Sequence, residues 1–204
     1  MKFLVLVFVL LLLPVQSFAS CELEVSTDRL VLKPMSKEDL SQLIDILTTP
    51  EVAKPLNLED VSREDIRRSL TLRSRRIENL RYAERVTLGI YLKNKLIGYV
   101  SARMEEDSWP DEREFKMLPI GEEQIWYTVS IALAHEYLHK GYGPEALGNF
   151  IDFLKKNFNP HGFHGQTQKN NKATIAMNKA LGMKPIRSWD GTLHFILRHQ
   201  SAGE

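Results

Sequence analysis

From residue 28 onward the hydrophobic positions switch repeatedly between a period of two and a period of three to four, and each switch marks a new element. Asp28-Arg29-Leu30-Val31-Leu32-Lys33-Pro34 has the strand period and is stopped by proline. A helix follows: Ser36 stands as its N-cap, Asp39 in the capping-box position, and Met35 with Leu40 has the spacing of a hydrophobic staple. Leu40, Leu43, Ile44 and Leu47 form its apolar stripe, which Thr49-Pro50 ends. The device recurs with Ser62 as cap, Asp65 three residues on, Val61 and Ile66 as staple, and a stripe of Ile66, Leu70, Ile77 and Leu80.

Residues 86–92 and 96–103 read as strands of a hairpin around Lys93-Asn94-Lys95. The acidic stretch 105–121 reads as a long loop, and 125–134 as another strand. Pro144 opens a helix at a position where a missing N–H costs nothing, with Leu147, Phe150, Ile151 and Leu154 as its buried face. A short strand at 161–167 precedes a helix at 172–181 that Gly182 closes. Strands at 183–189 and 192–199 flank Asp190-Gly191, a strong hairpin turn. The order β-α-α-β-β-β-α-β-α-β-β predicts a mixed α/β (α+β) domain, a sheet of about seven strands packed by helices.

Composition fits that picture: 204 residues, 43% apolar and 26% charged, describe one ordinary globular domain. A formal charge of +1 supplies no field for nucleic acid. The exception is residues 1–20. Lys2, eleven apolar residues from position 3 to 13, and the small-residue end Ser17-Phe18-Ala19-Ser20 make a signal-like leader before a domain at 21–204. Eleven residues span about 16 Å as helix, roughly half a bilayer's hydrocarbon core. Phe18-Ala19-Ser20-Cys21 resembles a bacterial lipobox, which implies membrane attachment through Cys21 if that thiol is lipidated. The plain alternative is signal cleavage after Ala19. A single cysteine excludes an intramolecular disulfide framework.

The chemistry concentrates at 129–147, where a strand meets a turn containing Gly141 and Gly143 and then a helix. Such a turn lets successive N–H groups converge, and the helix N-terminus adds positive potential, together a site for phosphate or pyrophosphate. It is neither a P-loop nor a GxGxxG turn. Thr128 to Tyr137 followed by Leu138-His139-Lys140-Gly141-Tyr142-Gly143-Pro144-Glu145 resembles motif A of the GNAT acetyltransferases, most closely the ribosomal-protein-type branch. Arg29 to Pro34, Lys95-Leu96-Ile97-Gly98-Tyr99-Val100, and Asn171-x-x-Thr174 with Leu181-Gly182-Met183 resemble three further family segments in the family's order.

The resemblance implies a splayed sheet, acetyl-CoA as cosubstrate, an amine acceptor and no metal. It implies cofactor contacts from Leu133, Ala134, Leu138, His139, Lys140, Gly141, Tyr142, Gly143, Pro144, Glu145, Asn171 and Thr174. Within that set, the N–H groups at 139, 140, 141, 143 and 145 would cradle the pyrophosphate. Leu138 stands where the family carries Arg or Gln, Asn178 where many members carry a tyrosine acid, and Thr128 where many carry glutamate. No acid or base is therefore assigned; Glu122, Glu123, Tyr127 and His135 are the candidates.

His135-Glu136-Tyr137-Leu138-His139 is also a literal His-Glu-x-x-His, which on a helix would set two imidazoles on one face for zinc, with His161 or His164 as third ligand. An exported zinc peptidase is thus the rival reading, and a non-catalytic envelope lipoprotein with the same fold is a third. The leader points to export or membrane anchoring, whereas the cofactor points to the cytoplasm.

Overall fold

A computed structural model describes residues 23–74, 85–104, 124–189 and 191–199. The leader, Cys21, Ile77, Leu80, Glu122, Glu123 and the whole 105–121 stretch lie outside them. Eight strands form one sheet in the order β1-β2-β3-β4-β5-β6-β8-β7. They are β1 (Val25–Ser26), β2 (Val31–Lys33), β3 (Arg85–Leu92), β4 (Lys95–Met104), β5 (Trp126–Leu133), β6 (Gly162–Gln168), β7 (Lys184–Trp189) and β8 (Thr192–Arg198). The expected number was about seven. The extra strand, β1, is two residues long, too short to show a period in the sequence.

The helices are α1 (Lys37–Leu47), α2 (Pro50–Ala53), α3 (Arg63–Ser74), α4 (Tyr142–Phe158) and α5 (Lys172–Ala180). The start of α1 is the predicted box: Ser36 Oγ accepts the Asp39 N–H at 3.1 Å, and Asp39 Oδ2 accepts the Ser36 N–H at 2.8 Å. Tyr91 on β3 donates to the same carboxylate at 2.8 Å and so ties the cap to the sheet. At α3, Ser62 Oγ accepts the Asp65 N–H at 3.1 Å, and Ile66 and Leu70 are buried. Lys93 and Asn94 both have positive φ, 48° and 66°, which makes the β3–β4 connection a two-residue turn and moves Lys95 into the strand.

Helices cover both faces of the sheet. The buried stripe of α4 (Leu147, Phe150, Ile151, Leu154) packs with Leu32, Val86, Leu88, Val100 and Val129. On the other face Leu43, Ile44 and Leu47 of α1 and Leu70 of α3 pack with Leu96, Tyr99 and Ala132. Full burial of a side chain such as Phe150 contributes about 1.5–3 kcal/mol.

Every neighbouring pair of strands is antiparallel except β5 and β6. That parallel pair is in register only at Trp126↔Gly162, Tyr127↔Phe163 and Thr128↔His164. Beyond Thr128 the two strands separate while β5 stays paired with β4 up to Gly98↔Leu133. The sheet therefore splits in its middle, on the carboxyl side of Thr128.

Close approach at β4 is possible because residue 98 is glycine. A methyl group there would lie 2.1 Å from the Ala132 carbonyl oxygen, a backbone atom that cannot swing aside. Gly98→Ala is expected to cost about 3 kcal/mol, the upper end for overpacking. Gly148→Ala on α4 would meet only the flexible end of Leu181, at 3.1 Å, and gains helix propensity of up to about 1 kcal/mol. Urea denaturation of both variants checks this; a Gly98→Ala midpoint no lower than that of Gly148→Ala contradicts it.

Candidate functional site

The connection from β5 to α4 is built from two left-handed residues. Ala134 ends the strand by donating its N–H to the Ile97 carbonyl at 2.8 Å. His135–Tyr137 makes a single 3-10 turn, Leu138 is extended, and His139 (φ 58°) and Gly141 (φ 80°) turn the chain into α4. The helix starts at Tyr142, two residues before the predicted Pro144. Proline is still harmless there, because the N–H groups of the first helical turn have no intrahelical acceptor. The Leu138 N–H goes to the His135 carbonyl at 3.1 Å, and the Glu145 N–H to the Gly141 carbonyl at 3.4 Å. Residues 138 and 145 thus supply no free donor. The turn can present the N–H groups of His139, Lys140, Gly141, Tyr142 and Gly143 to an anion.

This backbone overturns the zinc reading. A three-residue 3-10 turn followed by a left-handed His139 cannot set His135 and His139 on one helical face. His161 Nδ1 accepts the Ile125 N–H at 3.0 Å, and His164 is enclosed between Thr128 and His194. Among the described residues no three His, Cys, Asp or Glu side chains are grouped for a metal.

Arg29, on the turn between β1 and β2, fixes the loop from outside. Its N–H and Nε donate to Glu145 Oε1 and Oε2 at 2.9 and 2.7 Å, and Nη2 lies 2.6 Å from Oε2. Its Nη1 donates to the Lys140 carbonyl at 3.1 Å, and its guanidinium lies 4.5 Å from the centre of the Tyr142 ring. Thr27 Oγ1 adds a bond to Glu145 Oε1 at 2.5 Å. Burial pushes the Glu145 carboxyl up, but the bonds from Thr27 and Arg29 and the guanidinium charge outweigh it and hold the group low. The expected cofactor residues Tyr142 and Glu145 therefore turn their side chains to Arg29. Nothing in the sequence spacing announced this clamp, because its halves are 116 residues apart.

Inside the split sheet lies a cavity of about 480 Å³. Leu133, Leu138, His139, Gly141, Gly143 and Pro144 line it from the β5–α4 side. Asn171, Thr174 and Met177 line it from α5, and Val52, Pro55 and Leu56 close it from α2 and the turn after it. Eight of the twelve residues expected at the cofactor are thus brought together; Ala134, Lys140, Tyr142 and Glu145 are not on the wall. Asn171 caps α5 by accepting the Thr174 N–H at 3.1 Å. The contribution of Val52, Pro55 and Leu56 could not be foreseen, since it depends on how a four-residue helix folds back over the sheet.

Ala134 bonds toward β4, so strand alternation turns the backbone groups of Val129, Ile131 and Leu133 to the opposite edge, toward the slot. A second, polar cavity of about 220 Å³ shares Ile131, Asn171, Thr174 and Met177 with the first. Thr128, Ser130, Gln166, Gln168 and Asn178 line it. Of the catalytic candidates, Tyr127 is buried against Phe158 in the core, off both walls, and burial pushes its phenol up to about 12. His135 is exposed and also off both walls. Neither is placed to act on a ligand in the slot.

Residues 29–184 match the family model of the Acetyltransferase (GNAT) domain. The chain belongs to the GNAT acetyltransferase family. Acetyl-CoA-dependent N-acetylation is the activity of that family, and no curated protein matches the sequence beside it. A GNAT-family acetyltransferase from Bacillus anthracis has a similar structure, with 15% identity, 86% of this chain and 98% of that one covered, and a TM-score of 0.65. The aminoglycoside acetyltransferase AAC(6')-Ib in complex with coenzyme A matches at 14% identity, 83% and 94% coverage, and a TM-score of 0.64. A Vibrio cholerae protein described as a ribosomal-protein-serine acetyltransferase matches at 16% identity, 86% and 97% coverage, and a TM-score of 0.58. At these identities the likeness concerns the GNAT fold alone.

The Glu145 clamp makes a prediction about acid. Because its carboxyl is held low in the folded chain, its stabilisation is complete above the unfolded value of about 4.3 and is lost as pH falls through the lower folded value. Glu145→Gln is expected to cost about 1–2 kcal/mol at pH 7 and progressively less in acid. Urea melts at pH 7, 4 and 2.5 test this; a pH-independent difference would refute it.

Proposed function

We propose that this GNAT domain transfers the acetyl group of acetyl-CoA to a primary amine, with the pyrophosphate on the turn at 139–143 and the thioester where the two cavities meet. The observation that carries this reading is the continuity of the slot. It runs from the turn at 139–141, along the open edge of β5, into a cavity with amide and hydroxyl groups on its wall. The amide-bearing pantetheine arm suits that edge, which offers the donors and acceptors a partner strand would use. His139, Lys140, Gly141, Tyr142 and Gly143 hold the diphosphate through backbone N–H groups. Asn171 and Thr174 stand beside the sulfur end, at the junction.

The acceptor is an α-amino group of a protein N-terminus or a small amine. An α-amine, with a pKa near 8, is partly neutral at physiological pH and needs little help to become a nucleophile. That demand fits the smaller cavity, whose wall carries amide and hydroxyl groups at Thr128, Ser130, Gln166, Gln168 and Asn178. The resemblance of residues 128–147 to the ribosomal-protein-type branch supports the same class of acceptor. At the tetrahedral stage, a backbone N–H on the β5 edge is the group available to the oxyanion.

Titration calorimetry with acetyl-CoA tests the reading, with a thermal melt beside it. At a hundred times Kd the cofactor is expected to stabilise the fold by about 2.7 kcal/mol. No heat of binding and no shift at millimolar acetyl-CoA would leave the fold without this activity.

A further inference from the structure

Three side chains form a hydrogen-bonded line leading away from the polar cavity. Thr128 lies on its wall, and Thr128 Oγ1 is 2.9 Å from His164 Nδ1. His164 Nε2 is 3.0 Å from His194 Nδ1, and the two rings stack with centroids 5.3 Å apart. His164 is 0% exposed, whereas His194 on β8 is half-buried. The line starts at the last registered pair of β5 and β6, Thr128↔His164, where the sheet opens. We propose that Thr128 accepts the proton given up by the acceptor amine and that His164 and His194 relay it outward from the cavity.

One pair of tautomers directs the relay outward. With both imidazoles as Nε2–H tautomers, Thr128 Oγ1–H donates to His164 Nδ1 and His164 Nε2–H donates to His194 Nδ1. Each donor then faces outward along the line. The amine nitrogen forms its bond to the thioester carbonyl carbon, the C–S bond breaks, and the electron pair leaves with sulfur. The ammonium proton passes to Thr128 Oγ1 as the hydroxyl proton moves to Nδ1 of His164. In turn the Nε2 proton of His164 moves to His194, which releases its own Nε2 proton to water. A proton returned inward along the same line to the thiolate restores the starting tautomers, so one amide and one thiol are the net products.

His164 passes the proton without storing it. Burial pushes its imidazole down to about 3, and the charges of His194 and of Arg103, which is registered opposite Thr128 on β4, act in the same direction. Thr128 touches the substrate and is the catalytic residue; His164 and His194 are positioning residues that act through it.

The inference rests on the acetyl transfer proposed above. The test uses the full chain, acetyl-CoA and a panel of α-amino peptides and alkylamines, with thiol release as the readout. Thr128→Val is expected to lower kcat by about 100-fold, the lower end for a lost acid–base group, with the acetyl-CoA KM within about threefold. Thr128→Ser, which restores the hydroxyl, is expected to return kcat to within about threefold of wild type. His194→Phe keeps a stacked ring but removes the exit acceptor; kcat is expected to fall about tenfold, with a smaller solvent deuterium isotope effect. Should Thr128→Val unfold, His194→Phe carries the same comparison at the half-exposed end. Wild-type turnover with both Thr128→Val and His194→Phe within twofold overturns the relay alone. Wild type that binds no acetyl-CoA overturns the proposed function and the relay with it.

Discussion

The parallel pairing of β5 with β6 stops after three residue pairs, and the rest of the site depends on that interruption. A buried strand edge without a partner is costly, because each backbone N–H and carbonyl turned toward it needs a hydrogen bond. Here α5 and the turn at 139–141 line the space that opens where the pairing of β5 with β6 ends. The edge at Val129, Ile131 and Leu133 therefore faces a cavity. Water or an extended ligand must satisfy it. The fold accepts one incomplete ladder in its interior and gains a slot shaped like a missing strand.

A slot of that kind works only if the turn at its mouth is held in one conformation beforehand. Ordering a loop during binding would subtract from affinity. Arg29 does the ordering in advance, by grasping the Glu145 carboxylate, the Lys140 carbonyl and the Tyr142 ring together. The charge pairing matters as much as the rigidity. A lone carboxylate in the first turn of α4 would compete with any anion for the positive end of the helix. With the guanidinium 2.6 Å away, Glu145 is compensated locally, and the turn keeps its potential for a diphosphate.

Much of the fold was legible because its signals are local. Ser36 with Asp39, Gly182 at the end of α5, and Gly191 in the last hairpin are each decided within a few residues, and the structure has them as read. The wall of the larger cavity was legible through the glycines and the Asn171–Thr174 pair, which again are short-range features. What escaped was set by tertiary contact. The two-residue β1 exists because Leu32 gives it a partner, and Arg29 meets Glu145 across more than half the chain. Of the catalytic candidates, Tyr127 lies off both cavity walls, a placement that strand parity could have revealed. Tyr127, Val129, Ile131 and Leu133 share the core face of β5, so Thr128 and Ser130 must point the other way. The literal His-Glu-x-x-His misleads similarly, since its meaning depends on a helix that Gly141 and the left-handed His139 forbid.

Strand geometry also explains why so much of the site gathers on β5. A strand projects groups in three directions at once: side chains to either face and backbone groups along its edge. On β5 the odd positions face α4 and hold the strand in the core. The edge on the β6 side faces the slot, and the even positions Thr128 and Ser130 face the polar cavity. Anchoring, the open edge and the polar side chains thus occupy different directions of one element. A change of side chain at one even position leaves the backbone groups of the edge in place. The lining of the smaller cavity can therefore vary at 128 and 130 while the slot beside them stays the same.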